Sequence, residues 1–346
     1  RILHLGGLAP AETRALVVRR AGRAVSEEEA RQIHADSGGV PLFVEQLVAA
    51  RGCGPAPPPA DGELPRSAAI VIGNRLDLLG AGCRRALAVA AVLGVRVERA
   101  ELVNLWQAAA GGPATGLDAA LDEAARAGVL ESEPGARDRL RFHHGLMREV
   151  VYRGIDAAHV SRLHWLAGTA AEEGVAAAPA APQTIAEHLV RGVSAGEPER
   201  ARRACVRAAR AAASRGAFAA AATLWCQALD MLARERNPDP RLSVELRTEL
   251  AGALFRAGQA AAAEENANMA ADAARELGDA PLQARAVLSS GPLIDLAGTV
   301  DDGHAGRLED ALARLDPGDS PLRVRLLGRL AWVRHHQRDG GAARLA

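Results

Sequence analysis

The sequence predicts a mainly α chain in three parts: a short run of helices, a compact helical block closed by one β-hairpin, and a series of paired helices. Three observations carry that prediction. Apolar residues recur at helical spacing through most of the 346 residues, and many of the runs close on Gly. Only 3% of the chain is aromatic while Ala is abundant, and small residues on a helical period suit closely packed helix pairs better than a strand-rich core. Finally, "GAFAAAATLWCQALDML" and "GQAAAAEENANMAADAA" start 42 residues apart, at Gly216 and Gly258, a self-similarity that marks stacked helix pairs.

The first part covers residues 1–60. "RILHLGGL" alternates in polarity and reads as one strand left from a sheet whose other strands lie upstream. Ser26 and Glu29 have the spacing of a capping box, and the helix they open turns Ala30 and Ile33 inward. In "HADSGGVPLFVEQLV" Ser37, Gly38 and Gly39 end that helix, and Pro41 opens the next, where a first-turn proline loses no hydrogen bond. Such a turn is either a plain joint between two helices or a backbone shaped to meet something flat, such as a nucleotide base. The Pro/Gly stretch "RGCGPAPPPADGELP" then breaks the helical pattern and serves as a linker.

Residues 61–174 form the second part. "RSAAIVIGNRLDLLG", "CRRALAVAAVLG", "RAELVNLWQ" and "GLDAALDEAARAG" are helices, and "VLES", "EPGARD" and "RLRFHH" make a hairpin near residues 129–143. Helices followed by a hairpin suggest a winged helix. Two more helices follow, and the Ala/Pro segment "GVAAAPAAPQ" separates them from the third part, residues 184–346. There the copies at Gly216 and Gly258 carry Ala228 and Ala270 at matching places. A weaker copy, "GHAGRLEDALARL", starts at Gly303, and Gly340 opens a further one that is cut short. The pattern is that of a tetratricopeptide-like solenoid, with Phe218, Trp225 and Leu232 in its core.

Composition excludes several functions. The 42 basic residues balance the 42 acidic ones, so no global field attracts nucleic acid or a membrane surface. Every basic residue is Arg, and without a Lys there is no Walker-type phosphate loop. No apolar run approaches the roughly 18 residues that span a bilayer. Cys53, Cys83, Cys205 and Cys226 form no CxxC pair and read as reduced, buried thiols of a cytoplasmic protein. The imidazoles of His143–His144, His335–His336 and His159/His164 lack an HExxH frame, so no metal site is expected, and no GxSxG elbow supports a serine hydrolase. Arg137, Arg139, Arg141, Arg148 and Arg153 cluster around the hairpin, yet the neighbouring helix carries Asp118, Asp122 and Glu123 against Arg126, which disfavours contact with a duplex.

Five stretches, "SGGVPLFVEQL", "LPRSAAIVIGNRLDLL", "ALAVAAVLG", "RFHHGLMREVVY" and "RLHWLAG", occur in an order that resembles the STAND class of signal-transducing ATPases. More narrowly, they resemble the large ATP-binding LuxR-type transcriptional regulators. The resemblance implies the helical lid of an AAA-like ATPase, a winged-helix domain, and a tetratricopeptide-like sensor arm. It further implies that Gly39 and Pro41, in the Gly-x-Pro-Leu turn with Val40 and Leu42, contact the adenine of ATP or ADP. His144, or His143 one residue away, would contact the β-phosphate of ADP and hold a resting state; a cap on the following helix is the plain alternative. The phosphate loop and Walker-B carboxylates are expected upstream of Arg1, and a DNA-reading domain beyond Ala346. This stretch alone is therefore expected to hydrolyse no ATP, to retain no nucleotide and to read no DNA. A protein or small-molecule effector would bind the repeats, with homo-oligomerisation on activation. ATPase modules linked to cyclase or kinase domains are similar, and a tetratricopeptide scaffold that binds only a protein partner is the other reading.

Overall fold

The computed structural model describes residues 7–22, 25–37, 39–51, 72–73, 75–111, 114–133, 135–174, 179–291 and 302–343. The chain is mainly helical and divides into two compact units, residues 1–163 and 164–346. Of the strand expected at residues 1–8, residues 1–6 lie outside the described residues and Gly7 and Leu8 are in no strand; most of the Pro/Gly linker also lies outside the described residues.

The first unit opens with α1 (Pro10–Ala21), α2 (Glu27–Ser37) and α3 (Pro41–Arg51), which pack on one another. Leu16, Val17, Ile33, Val44 and Leu47 form their shared core. Ser26 caps α2 as its spacing predicts, its hydroxyl accepting from the Glu29 N–H at 3.1 Å, and Ala30 and Ile33 are buried. Thr13 on α1 is fully buried because its hydroxyl meets His34 Nδ1 on α2 at 2.9 Å.

Next come α4 (Ala81–Leu93), β1 (Arg96–Glu98), α5 (Arg99–Ala110), α6 (Leu117–Arg126), β2 (Leu130–Glu133), β3 (Ala136–Phe142) and α7 (Gly145–Arg153). Residues Ala86 to Val92 of α4 are all buried, as expected of a helix apolar on every side with neighbours around it. It packs against α5, α6 and α7. The hairpin stands where the sequence placed it. β1, which the sequence reading missed, pairs antiparallel with β3, giving the order β1-β3-β2 with Val97 opposite Leu140. Three residues are too few to show alternation, and the helical pattern of α5 begins directly after them.

Helix α8 (Ala157–Glu172) carries the division between the units. Its second half packs with the helices that follow: Trp165 lies so close to Gly196 that a Cβ there would stand 2.1 Å from the indole, and Gly168 meets Leu189 in the same way. The second unit continues with α9 (Pro182–Arg191), a 3-10 turn (Val193–Ala195), α10 (Pro198–Ser214), α11 (Phe218–Ala233), α12 (Pro240–Arg256), α13 (Ala260–Glu276), α14 (Ala280–Val287), α15 (Asp302–Arg314) and α16 (Pro321–Ala343).

The repeat is visible in the backbone. Gly216 and Gly258 both take positive φ, and the next N–H reaches back to Ala212 O and Leu254 O respectively, so both turns close with the same six-residue bond. Ala221 and Ala263 are fully buried, Ala305 nearly so, and these three share the 42-residue spacing. The third copy corrects the sequence reading. Ala305, buried 42 residues after Ala263, gives its phase, whereas Gly303 lies within the helix Asp302–Arg314 and is no joint. Gly340 likewise lies within α16 and opens no new turn. Trp225 and Leu232 are core residues as expected, and Phe218 is half-buried beneath the Arg256 guanidinium, 4.8 Å from its ring centroid.

Candidate functional site

Three places are candidates for a functional site: the α2–α3 turn, the start of α7 and a groove on the repeats. At the first, Ser37 is buried; its hydroxyl donates to His34 O and accepts from Gly39 N–H, each at 3.2 Å. Gly39 has φ of +72°, and its carbonyl accepts from Leu8 N–H at 2.7 Å. A Cβ at Gly39 would stand 2.3 Å from Leu8 O, so glycine is required by its own chain. Gly39 is thus buried against Leu8, while Pro41 and Val40 are exposed at the head of α3. The turn buries Gly39 and presents Val40 and Pro41 outward.

At the second place His144 is the N-cap of α7. Its backbone is extended, and Nδ1 accepts from Leu146 N–H at 3.1 Å. An Nδ1 that accepts cannot carry the proton, so the neutral ring bears its proton on Nε2, and the ring is exposed. The capping role and an outward N–H donor therefore coexist in one side chain. His143 is engaged differently, its Nδ1 lying 3.3 Å from Glu131 on β2. That hydrogen bond, with the Arg141 guanidinium, holds the Glu131 carboxyl below the usual carboxylate range. Between the two histidines, His144 is the one whose ring is not tied to an acid. No hydrogen bond, ring contact or ion pair among the described residues joins His144 to α1, α2 or α3.

The arginines of the hairpin are largely matched by acids. Arg139 meets Glu98 at 2.7 Å and Glu133 at 3.3 Å, Arg141 meets Glu131 at 2.6 Å, and Arg96 meets Glu133 at 3.4 Å. Arg153 pairs with Glu149, while Arg148 donates to Ala91 O and covers the Tyr152 ring. The side chain of Arg137 lies outside the described residues. On α6, Asp118 pairs with Arg99, and Glu123 accepts from Gly80 N–H ahead of α4. These charges are spent within the block.

The third place was not read from the sequence. A groove of about 450 Å³ is lined by α10, α12 and α14 together with Trp225 of α11. Arg203, Arg207 and Arg210 stand at i, i+4 and i+7 along α10, one face of a helix, and that spacing in "RACVRAAR" was the available signal.

Cys83, Cys205 and Cys226 are free thiols, and two of the histidines meet as a pair. Cys83 and Cys205 are buried thiols, pushed up to about 11 and about 12 respectively, in both cases chiefly by burial. Cys226 is exposed, against expectation, because its position on α11 faces away from the helix-pair core; Cys53 lies outside the described residues. His164 pairs with His188 rather than with His159. Among the described residues, no group of three or more His, Cys, Asp or Glu side chains could hold a metal ion, and no helix is long and apolar enough to cross a membrane.

No protein-family model matches the sequence, and no curated protein does. Among solved structures, the chain is similar to a STAND (signal transduction ATPase with numerous domains) protein with a tetratricopeptide repeat sensor from Pyrococcus horikoshii. The two are 13% identical with a TM-score of 0.35, over 96% of this chain and 51% of that one. The chain thus spans about half the length of that protein. The likeness is too distant to place any residue.

Proposed function

We propose that this chain is the switch and sensor portion of a STAND-type ATPase, of the kind found in large LuxR-type transcriptional regulators. In this reading the first unit senses adenine nucleotide, the repeats bind an effector, and together they govern an output domain outside residues 1–346. The order α4–β1–α5–α6–β2–β3, with its β1-β3-β2 antiparallel sheet, supports a winged-helix assignment for the middle block. The observation that carries the reading is that Pro41 and His144 are exposed on well-fixed backbone, while Gly39 is buried and shapes the turn. Pro41 lies two residues after Gly39, which is locked against Leu8, and His144 is fixed by its own capping bond.

These groups fit a nucleotide in part. An exposed proline ring offers a flat apolar face to a base, and the Nε2–H of a capped imidazole offers a donor to a phosphate oxygen. A bound nucleotide supplies the γ-phosphate whose presence or absence distinguishes two states. The chain itself has no Lys to cradle phosphates, so its residues position and sense rather than cleave.

The test is titration of the full-length protein with fluorescent ADP. His144→Ala should weaken binding by about 1–3 kcal/mol, the scale of a hydrogen bond to a charged group. His144→Asp keeps a capping oxygen but has no N–H, so it should weaken ADP as much or more while preserving α7. Pro41→Ala should weaken ADP and ATP alike, since adenine is common to both. Unchanged ADP affinity in His144→Asp would refute the sensor role.

A second reading, a repeat scaffold without nucleotide, is favoured by the groove on α10, α12 and α14. It requires that ADP fail to bind the full-length protein at all.

A further inference from the structure

We propose that the groove formed by α10, α12 and α14 binds a small organic anion, an apolar body carrying a carboxylate or phosphate. The volume of about 450 Å³ falls in the ordinary range of small-molecule sites, roughly 300–1,000 Å³. The proposal names a chemical class for the effector and so rests on the sensor role given to the repeats above.

The charge of the lining selects an anion. Five arginines border the groove, against Glu245 and Glu249. Three of the arginines have acidic partners: Arg202 with Glu235 at 2.6 Å, Arg203 with Glu199 at 3.4 Å, and Arg207 with Glu172. Glu245 is approached by Arg241 at 3.5 Å. Arg210 and Arg285 border the groove from α10 and α14, and among the described residues neither has a hydrogen bond or ion pair. Both are exposed, so the groove holds two guanidinium forks ready to meet a carboxylate or phosphate in bidentate fashion.

The rest of the lining explains why a bare ion is not enough. Half-buried Val206 and Leu242 give the groove an apolar lining, above the buried Trp225, Leu246 and Leu282. An inorganic ion would leave that lining wet, whereas a ligand with an apolar body covers it and gains by doing so. Glu249, exposed and likewise without a bond or ion pair among the described residues, sets a limit on the negative charge the groove accepts. That disfavours a densely acidic peptide and favours one or two anionic groups.

The test is calorimetric titration of residues 1–346 with phenyl phosphate and benzoate. Neutral benzyl alcohol, inorganic phosphate and a labelled hexaglutamate serve as comparisons. Saturable binding of an aromatic anion, stronger than that of benzyl alcohol or phosphate, is expected. Arg210→Ala with Arg285→Ala should weaken it about tenfold or more. Glu249→Gln should strengthen it, an outcome that misfolding cannot mimic. Three results would overturn the proposal: no saturable anion binding in the millimolar range, equal binding by wild type and the double-arginine variant, or tighter binding of hexaglutamate than of the small anions. The proposal and the nucleotide switch fail separately. Anion binding in the groove with a flat ADP titration of the full-length protein removes the switch alone, and ADP binding with no anion in the groove removes this proposal alone.

Discussion

His164 on α8 and His188 on α9 face each other Nδ1 to Nδ1 at 2.9 Å, with ring centroids 5.0 Å apart. One ring must donate and the other accept, so the pair cannot be doubly protonated and keep this bond. His164 is buried, and burial, aided by Arg191 and opposed by Glu187, lowers the pKa of His188.

The sign of the pH effect follows. A histidine whose folded pKa lies below its unfolded value binds fewer protons in the native state, so stability is full above the unfolded value and falls as the medium acidifies. Thermal melting of residues 1–346 should therefore drop as pH falls below about 6.5. His188→Gln should flatten that drop while leaving helix content at pH 8 unchanged. An identical pH profile in the variant would count against the pair.

Gly39 and Pro41 should separate structure from recognition. Gly39→Ala places a Cβ 2.3 Å from Leu8 O on a backbone with positive φ, and should destabilise the α1–α3 packing by about 1–3 kcal/mol. Hydrogen exchange should quicken across residues 27–51 and stay unchanged in the repeats. Pro41→Ala, at an exposed first-turn position, should leave exchange almost as it is.

The repeat joints depend on alanine. Ala263 is fully buried at the position shared with Ala221 and Ala305, so Ala263→Leu should cost about 1–3 kcal/mol through overpacking. Ala261→Leu, on an exposed face of the same helix, should stay within about 0.5 kcal/mol of wild type. Chemical denaturation followed by circular dichroism distinguishes the two.

Thiol labelling should respect burial. With Cys83 pushed up to about 11 and Cys205 to about 12, neither supplies appreciable thiolate near pH 8. Iodoacetamide should modify Cys226 first among Cys83, Cys205 and Cys226, as peptide mass mapping would show. Rapid native labelling of Cys205 would mean that the α10–α11 core opens.

Local features were the legible ones. The Ser26 cap, the hairpin, and the turn glycines Gly216 and Gly258 all act within a few residues, and each was readable from spacing. Features set by distant parts of the chain were not. That Gly39 is glycine because Leu8 lies against it depends on a contact 31 residues back. His188 as the partner of His164 depends on how α9 returns along α8. The phase of the third copy is set by Ala305, whereas Gly303, which looks like a joint in the sequence, lies within the helix. The groove arginines were missed because one face of α10 has meaning only once α12 and α14 stand beside it.

The identical closure of the turns at Gly216 and Gly258 has a consequence for the length of the array. Each joint is sealed by bonds within its own few residues, Ala217 N–H to Ala212 O and Gln259 N–H to Leu254 O, and so needs nothing from the copy that follows. Ala217 and Gln259 precede their helices with nearly the same backbone, φ −81° and ψ 61° against φ −95° and ψ 65°. Excising residues 218–259 would therefore set Ala260 behind Ala217 with the joint preserved. An array built this way can lose or gain a whole copy while every remaining joint keeps its own closing bond.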